Sequence, residues 1–342
     1  MYYIGVDLGT SAVKLLLMDE AGRILNVVSK EYPLYFPNPG WSEQRPEDWY
    51  DKSIEGMKEL IKGFDADKVA GISFGGQMHG LVILDENDKV IRPAILWNDG
   101  RTIEENDYLN NVIGKDKLSS YTANISFTGF TAPKILWVKN KEPENFVRIR
   151  KIMLPKDYLA YRLTGVHCTD YSDASGMLLL DVKNKCWSKE MIEICGIKEE
   201  MLPKLFESFE KVGTLKSEIA RELGFPDEVI VAAGAGDNAA AAVGTGTVGI
   251  FHLEHREQYL SQAIHLALMS TMHFTRLHML TDIFILWDVC SVPHPAISGG
   301  WMRLSERRTM RQSRRTLTSL ARTVYTSFRI LWENVRHTMI LL

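Results

Sequence analysis

The eight residues Ile4-Gly5-Val6-Asp7-Leu8-Gly9-Thr10-Ser11 constrain this chain most. Their apolar residues read as a buried strand, and Asp7 places a carboxylate near its end. Gly9-Thr10-Ser11 then turns the chain, and residues 12–18 return as a second strand. Glycine admits positive φ, and small side chains let a ligand approach the backbone. Successive N–H groups in such a turn form a concavity suited to an anion. Asp7 repels a phosphate directly, but it can hold a Mg²⁺ that bridges to one. The same residues, taken alone, also fit an ordinary β-hairpin whose aspartate has no ligand.

A length of 342 residues fits about two domains. The hydrophobic and charged fractions, 45% and 24%, are those of a soluble globular protein. A net charge of -3 gives no overall pull toward nucleic acid. The N-terminus lacks a basic segment followed by an apolar core, so no signal peptide is expected. Cys168, Cys186, Cys195 and Cys290 have neither metal-ligand nor disulfide-framework spacing. Reduced thiols in a cytoplasmic protein are the expectation. Residues 281–292, the most apolar late run, are too few to span a membrane and include Asp282 and Asp288.

Residues 1–36 read as three strands, with a turn at 19–22 and the third strand beginning near Arg23. Pro46 suits a first helical position, and Trp49, Met57, Leu60, Ile61 and Phe64 fall on one helical face. Residues 69–74 form a short buried strand that ends in Gly75-Gly76-Gln77-Met78-His79-Gly80. A strand at 81–84, a turn at 85–89 and an extended run at 90–97 lead to Asn98-Asp99-Gly100-Arg101. Helices are expected near 133–139 and 156–163. A last strand at 229–233 runs through Gly234-Ala235-Gly236-Asp237-Asn238 into four alanines, 239–242, suited to a close-packed helix. The pattern predicts a mixed α/β fold with ligands at the carboxyl ends of strands.

Asp237 is the strongest catalytic candidate by position. A strand, a glycine turn and a helix start place its carboxylate at the mouth of a sheet, where it can take a proton from a substrate hydroxyl. A helix N-terminus beside it attracts anions, and the plain alternative is a helix N-cap. His79 can bond to a hydroxyl, and Met78 can pack on a carbon skeleton. Asn98, Asp99 and Arg101 offer an amide, a carboxylate and a guanidinium to a polyol, although Asn-Asp-Gly is also strong turn chemistry.

In combination these stretches resemble the FGGY carbohydrate kinases, across nearly all of residues 1–249. The resemblance is carried by Asp7-Leu8-Gly9-Thr10-Ser11, Trp41-Ser42-Glu43-Gln44, Gly76-Gln77-Met78-His79-Gly80 and Pro93-Ala94-Ile95-Leu96-Trp97-Asn98-Asp99-Gly100-Arg101. It continues through Gly129-Phe130-Thr131-Ala132-Pro133-Lys134, Leu154-Pro155-Lys156-Asp157-Tyr158 and Gly236-Asp237-Asn238-Ala239-Ala240. Their order and spacing are most similar to the members that phosphorylate D-xylulose.

The resemblance implies an actin-like, ribonuclease H-like ATPase fold of two domains, with residues 1–249 as an essentially complete first domain. It implies transfer of a phosphoryl group from Mg-ATP to the terminal hydroxyl of a ketopentose. Asp237 would be the general base and Asp7 its catalytic companion, holding Mg²⁺ through phosphate. Met78, His79 and Asn238 would bind the sugar, with Asn98, Asp99 and Arg101 shaping its pocket. Gly9, Thr10, Ser11 and Lys14 would serve the ATP phosphates. Phosphoryl transfer needs positioning and charge stabilisation more than covalent chemistry, which such a set supplies. No nucleic-acid or membrane partner is implied, and a homodimer is left open. Another FGGY sugar or polyol kinase and a non-catalytic sugar-binding module stand as alternatives.

Composition breaks after Gly249. Residues 1–249 hold 21 lysines and 8 arginines, whereas 250–342 hold no lysine and 11 arginines. Seven of the nine histidines lie in this tail, and its glycines are Gly299 and Gly300. The family's second domain, with its second phosphate loop, is missing or garbled there. Read one base earlier, permitted codons for Leu253-Glu254-His255-Arg256-Glu257-Gln258-Tyr259-Leu260 give L-G-T-S-G-T-I-F, which echoes the Leu8-Gly9-Thr10-Ser11 turn. The stretch around 283–290 permits F-M-G-C-M-L-S-A-A-S-C-N-K-W-W-M, and 329–340 permits P-Y-L-M-G-E-R-T-P-H-N-D. All three use the same shift, in the family's order. The tail is expected to be an out-of-frame translation that ends early and packs poorly, leaving the chain inactive. The alternative is a genuine arginine-rich interaction tail, which would show salt-dependent binding to nucleic acid.

Overall fold

A computed structural model describes residues 1–244. The tail, Cys290 and the apolar run at 281–292 lie outside the described residues. Seven strands build the central sheet: β1 (Tyr2–Leu8), β2 (Ala12–Asp19), β3 (Ile24–Glu31), β4 (Val69–Gly76), β5 (Lys211–Thr214), β6 (Ile230–Ala232) and β7 (Ala235–Gly236). Their order is β5-β6-β4-β1-β2-β3, with β7 also on β4. β1, β2 and β3 form an antiparallel meander, whereas β4 runs parallel to β1, and β6 and β7 run parallel to β4.

The central position of β1 explains its near-continuous apolar sequence, since both faces are covered. Helix α1 (Pro46–Leu60) starts on its proline, as expected, and buries Trp49, Met57 and Leu60 fully. Ile61 and Phe64 only flank that core, because the helix stops at Leu60. Helices α2 (Thr131–Lys141) and α3 (Pro155–Thr164) extend the two expected near 133–139 and 156–163. α3 shares the sheet's core through Tyr158, Leu159 and Leu163, whereas α2 centres a second core with Leu81, Ile83, Phe130, Leu180 and Trp187.

Two expected extended segments are regular strand over part of their span. The strand near 81–84 is Val82–Leu84, and it leaves the main sheet to pair with Lys151–Met153. In the run 90–97 only Ala94–Ile95 is regular strand, paired with Glu43–Gln44. Pro93 lacks an N–H for a longer ladder. The closing helix, α4 (Asp237–Gly244), starts at the aspartate itself. Gly234 makes the turn before it at φ 75°, with Phe74 pressed too close for a Cβ to fit. Cys168, Cys186 and Cys195 are free thiols. Among the described residues, no helix is long and apolar enough to cross a membrane.

Candidate active site

Three parallel strands bring the predicted residues to one sheet end. Asp7 and Leu8 of β1 lie opposite Gly75 and Gly76 of β4, and Ala235 and Gly236 of β7 lie opposite the same two glycines. The chain therefore leaves this end at Asp7, at Gln77-Met78-His79 and at Asp237. Met78 crosses the backbone of Gly236, where an added Cβ would sit 2.9 Å from the Met78 Cγ.

The turn after β1 is braced on all sides. Gly9 donates its N–H to the Ala12 carbonyl at 3.1 Å, and the Tyr32 hydroxyl donates to the Gly9 carbonyl. The Thr10 hydroxyl donates to Gln77 Oε1 at 3.3 Å and accepts from the Trp97 indole at 3.0 Å. Gln44 Nε2 donates to the Thr10 carbonyl at 2.6 Å, while its Oε1 accepts from Trp49 and Gln77. Ser11 and Lys14 stay exposed, and Lys14 is the cross-strand partner of Asp7. Burial raises the Asp7 carboxyl above its ordinary range, and the Lys14 charge opposes that rise. Among the described residues no group of three or more His, Cys, Asp or Glu side chains could hold a metal. One carboxylate beside a backbone turn matches the way Mg²⁺ binds, through one or two carboxylates and the substrate's phosphates.

His79 adopts a left-handed backbone with φ 66°. Its Nδ1 lies 2.8 Å from the Gly176 carbonyl, which only accepts, so Nδ1 carries the proton and Nε2 is left as an acceptor. A side chain at Gly176 would strike the imidazole. Burial, helped by the Lys134 charge, lowers the His79 pKa to about 4, against the Gly176 hydrogen bond that would raise it. The ring is neutral at ordinary pH.

Asp237 is exposed where β7 ends and α4 begins. Desolvation raises its carboxyl to about 6, opposed by the Asn238 N–H that donates to Oδ1 at 2.7 Å and assisted by the Asp7 charge. Such a value suits a group that exchanges protons near neutrality. Asn238 is exposed beside it.

Asn98 is also exposed, but Asp99 and Arg101 are buried in an ionic knot of their own. Arg101 holds both Asp99 and Glu43 at 2.7 Å and lies over the Trp41 ring, and Asp99 accepts from the Ser42 N–H. Their polar atoms serve the fold of this loop, whose contact with the turn after β1 runs through Trp97.

Pattern reading gave no role to Lys156 and three aspartates. Lys156 Nζ lies 2.7 Å from Asp157, 2.9 Å from Asp170 and 3.5 Å from Asp173, all of them buried. Burial works against the Lys156 charge, but the carboxylates outweigh it and raise its pKa. Asp170 Oδ2 accepts from the Ser172 and Ser208 hydroxyls, and the Ser172 hydroxyl accepts from the Gly236 N–H. The cluster is thereby linked to the residue before Asp237. Lys156-Asp157 on an otherwise apolar helix face was the available signal, but the partners at 170 and 173 required the fold.

Residues 2–244 match the FGGY family of carbohydrate kinases, N-terminal domain. The sequence is 47% identical over 250 residues to a xylulose kinase of Lactococcus lactis, covering 72% of this chain and 50% of that protein. It is 46% identical over 247 residues to a xylulose kinase of Bacillus subtilis, covering 72% and 49%. A crystal structure of a xyloylose kinase from Brucella ovis superposes with a TM-score of 0.70 at 43% identity, covering 72% of this chain and 51% of that one. The chain belongs to the FGGY family of carbohydrate kinases. It spans about half the length of the curated relatives it matches.

Proposed function

We propose that residues 1–249 are the sugar-binding half of a xylulokinase, which transfers the γ-phosphoryl group of ATP to the terminal hydroxyl of D-xylulose. The observation that carries this reading is the convergence of Asp7, Met78-His79 and Asp237 at one end of three parallel strands of the mixed sheet. The names of the similar proteins supply the sugar. In this reading Asp237, with its carboxyl near 6, takes the proton of the attacking hydroxyl. Neutral His79 offers Nε2 to a sugar hydroxyl, Met78 lies under the carbon chain, and exposed Asn238 and Asn98 complete the polar rim. Gly9, Thr10 and Ser11 present backbone groups to the ATP phosphates, and Lys14 adds charge. Asp7 would hold Mg²⁺ through those phosphates, where the ion would offset charge on the transferring group.

Residues 250–342 are, in this account, an out-of-frame translation of the second domain. The motive is the loss of lysine and of glycine turns after Gly249, together with three family-like stretches in the neighbouring frame. The chain as written then binds sugar without transferring phosphate. Titration calorimetry of the 342-residue chain with D-xylulose tests the sugar site. One saturable site that is weakened in His79→Ala is expected. Absence of xylulose binding would overturn the assignment.

A further inference from the structure

Lys134 is fully buried, and both of its hydrogen-bond acceptors are neutral. Its Nζ donates to the His79 carbonyl at 2.8 Å and to the Gly129 carbonyl at 2.6 Å. A buried ammonium without a paired carboxylate carries a desolvation cost of several kcal/mol. Burial accordingly lowers the Lys134 pKa to about 7, against the pull of Asp99 and with the push of Arg101. An apolar side chain of similar length would remove the buried charge but would leave the His79 and Gly129 carbonyls without this donor.

The His79 peptide is where this cation is used. A left-handed backbone at a non-glycine residue is strained and persists only where its surroundings over-determine it. Here the carbonyl of that residue receives two donors, Lys134 Nζ and, at 3.1 Å, the Thr131 hydroxyl. Both come from the first turn of α2, and Phe130 just before it lies against the imidazole at 4.7 Å between ring centres. One short segment, 130–134, therefore grips the peptide and the ring of His79 together.

We propose that Lys134 is a positioning residue of the sugar site, holding the His79 peptide so that its imidazole keeps the Nδ1 contact to Gly176 and leaves Nε2 for a sugar hydroxyl. The inference rests on the sugar-site reading above, and two separate readouts distinguish them. The 342-residue chain, labelled with ¹⁵N-histidine, is compared with Lys134→Met by histidine ring NMR and by D-xylulose calorimetry, with His79→Gln used to assign the His79 signals. Lys134→Met should shift the His79 ring nitrogens, leave those of His167 in place, and weaken D-xylulose roughly tenfold, the scale of one charged hydrogen bond. Unchanged His79 resonances, or unchanged xylulose affinity beside a binding-competent parent, would overturn the proposal. If the parent chain does not bind xylulose, the sugar reading fails, and the His79 resonances alone decide the hold of Lys134. Thr131→Val removes the second donor without touching the buried charge. It serves where Lys134→Met does not fold. It should move the same resonances and weaken binding a few-fold, and no change in either would count against the grip.

Discussion

Gly236 donates its backbone N–H to the side-chain hydroxyl of Ser172 at 3.2 Å. The residue that precedes Asp237 thus hangs from a serine that is itself fixed on Asp170, and Asp170 is paired with buried Lys156. The fold places a buried charged cluster directly behind the corner that carries Asp237. Asp170, as N-cap of the short helix Tyr171–Ala174, satisfies the Ser172 N–H as well.

Lys156→Met should destabilise the described domain by about 3–5 kcal/mol, because it leaves three buried carboxylates facing one another without a cation. Burial, Asp157 and Asp170 already raise the Asp173 carboxyl well above its ordinary range. A raised carboxyl gives stability that is full at low pH and is lost as pH rises. The deficit of the variant should accordingly be smaller at pH 5 than at pH 8. Urea unfolding at the two pH values checks this, and an equal deficit at both would contradict it.

His79 predicts the opposite slope. Its pKa falls from 6.5 to about 4 on folding, so the unfolded chain binds the proton more readily. The contribution is full above pH 6.5 and is lost as pH falls toward 4. The urea midpoint of the parent should decline over that window more steeply than that of His79→Gln. Parallel curves would mean that the imidazole is not held neutral.

Gly176→Ala should place a methyl against the His79 ring, 2.6 Å from Nδ1 by the position of an ideal Cβ. Overpacking of this kind costs typically ~1–3 kcal/mol. Sugar affinity should fall more than tenfold while the main sheet keeps its circular dichroism. Wild-type affinity in this variant would show that the Gly176 contact is not part of the site.

Much of this site was legible before the fold. Asp7, Gly75-Gly76 and Gly234-Ala235-Gly236-Asp237 each announce a strand that ends in small residues, and parallel pairing puts those ends together. Trp49, Met57 and Leu60 likewise mark their helix by spacing alone. What the sequence hid were the residues whose partners are far along the chain. Lys134 reaches His79 across 55 positions, and Asp170 bonds to Ser208 across 38. Asp99 and Arg101 have a chemistry that suits a polyol or the walls of its pocket, and the sequence did not show that Glu43, more than fifty residues earlier, engages Arg101. Charged side chains name a chemistry, and only tertiary packing decides whether that chemistry turns inward.

Asp237→Ala in a frame-restored chain should remove phosphotransfer by about 10²–10⁴-fold without loss of fold. The base must be ionised, and desolvation raises its carboxyl to about 6. The kcat/KM of the restored parent should therefore fall as pH drops below about 6. A flat profile down to pH 5, or near-normal turnover by the variant, would remove Asp237 from that role.

Xylulose-dependent ATP consumption tests the central claim most directly, measured on the 342-residue chain and on the product of its coding sequence returned to the neighbouring frame at Gly249. The account predicts no turnover by the chain as written and substantial turnover by the restored form. Turnover by the chain as written would contradict it, since residues 250–342 would then supply a nucleotide site. An inactive restored form, folded and still binding xylulose, would contradict the kinase reading itself.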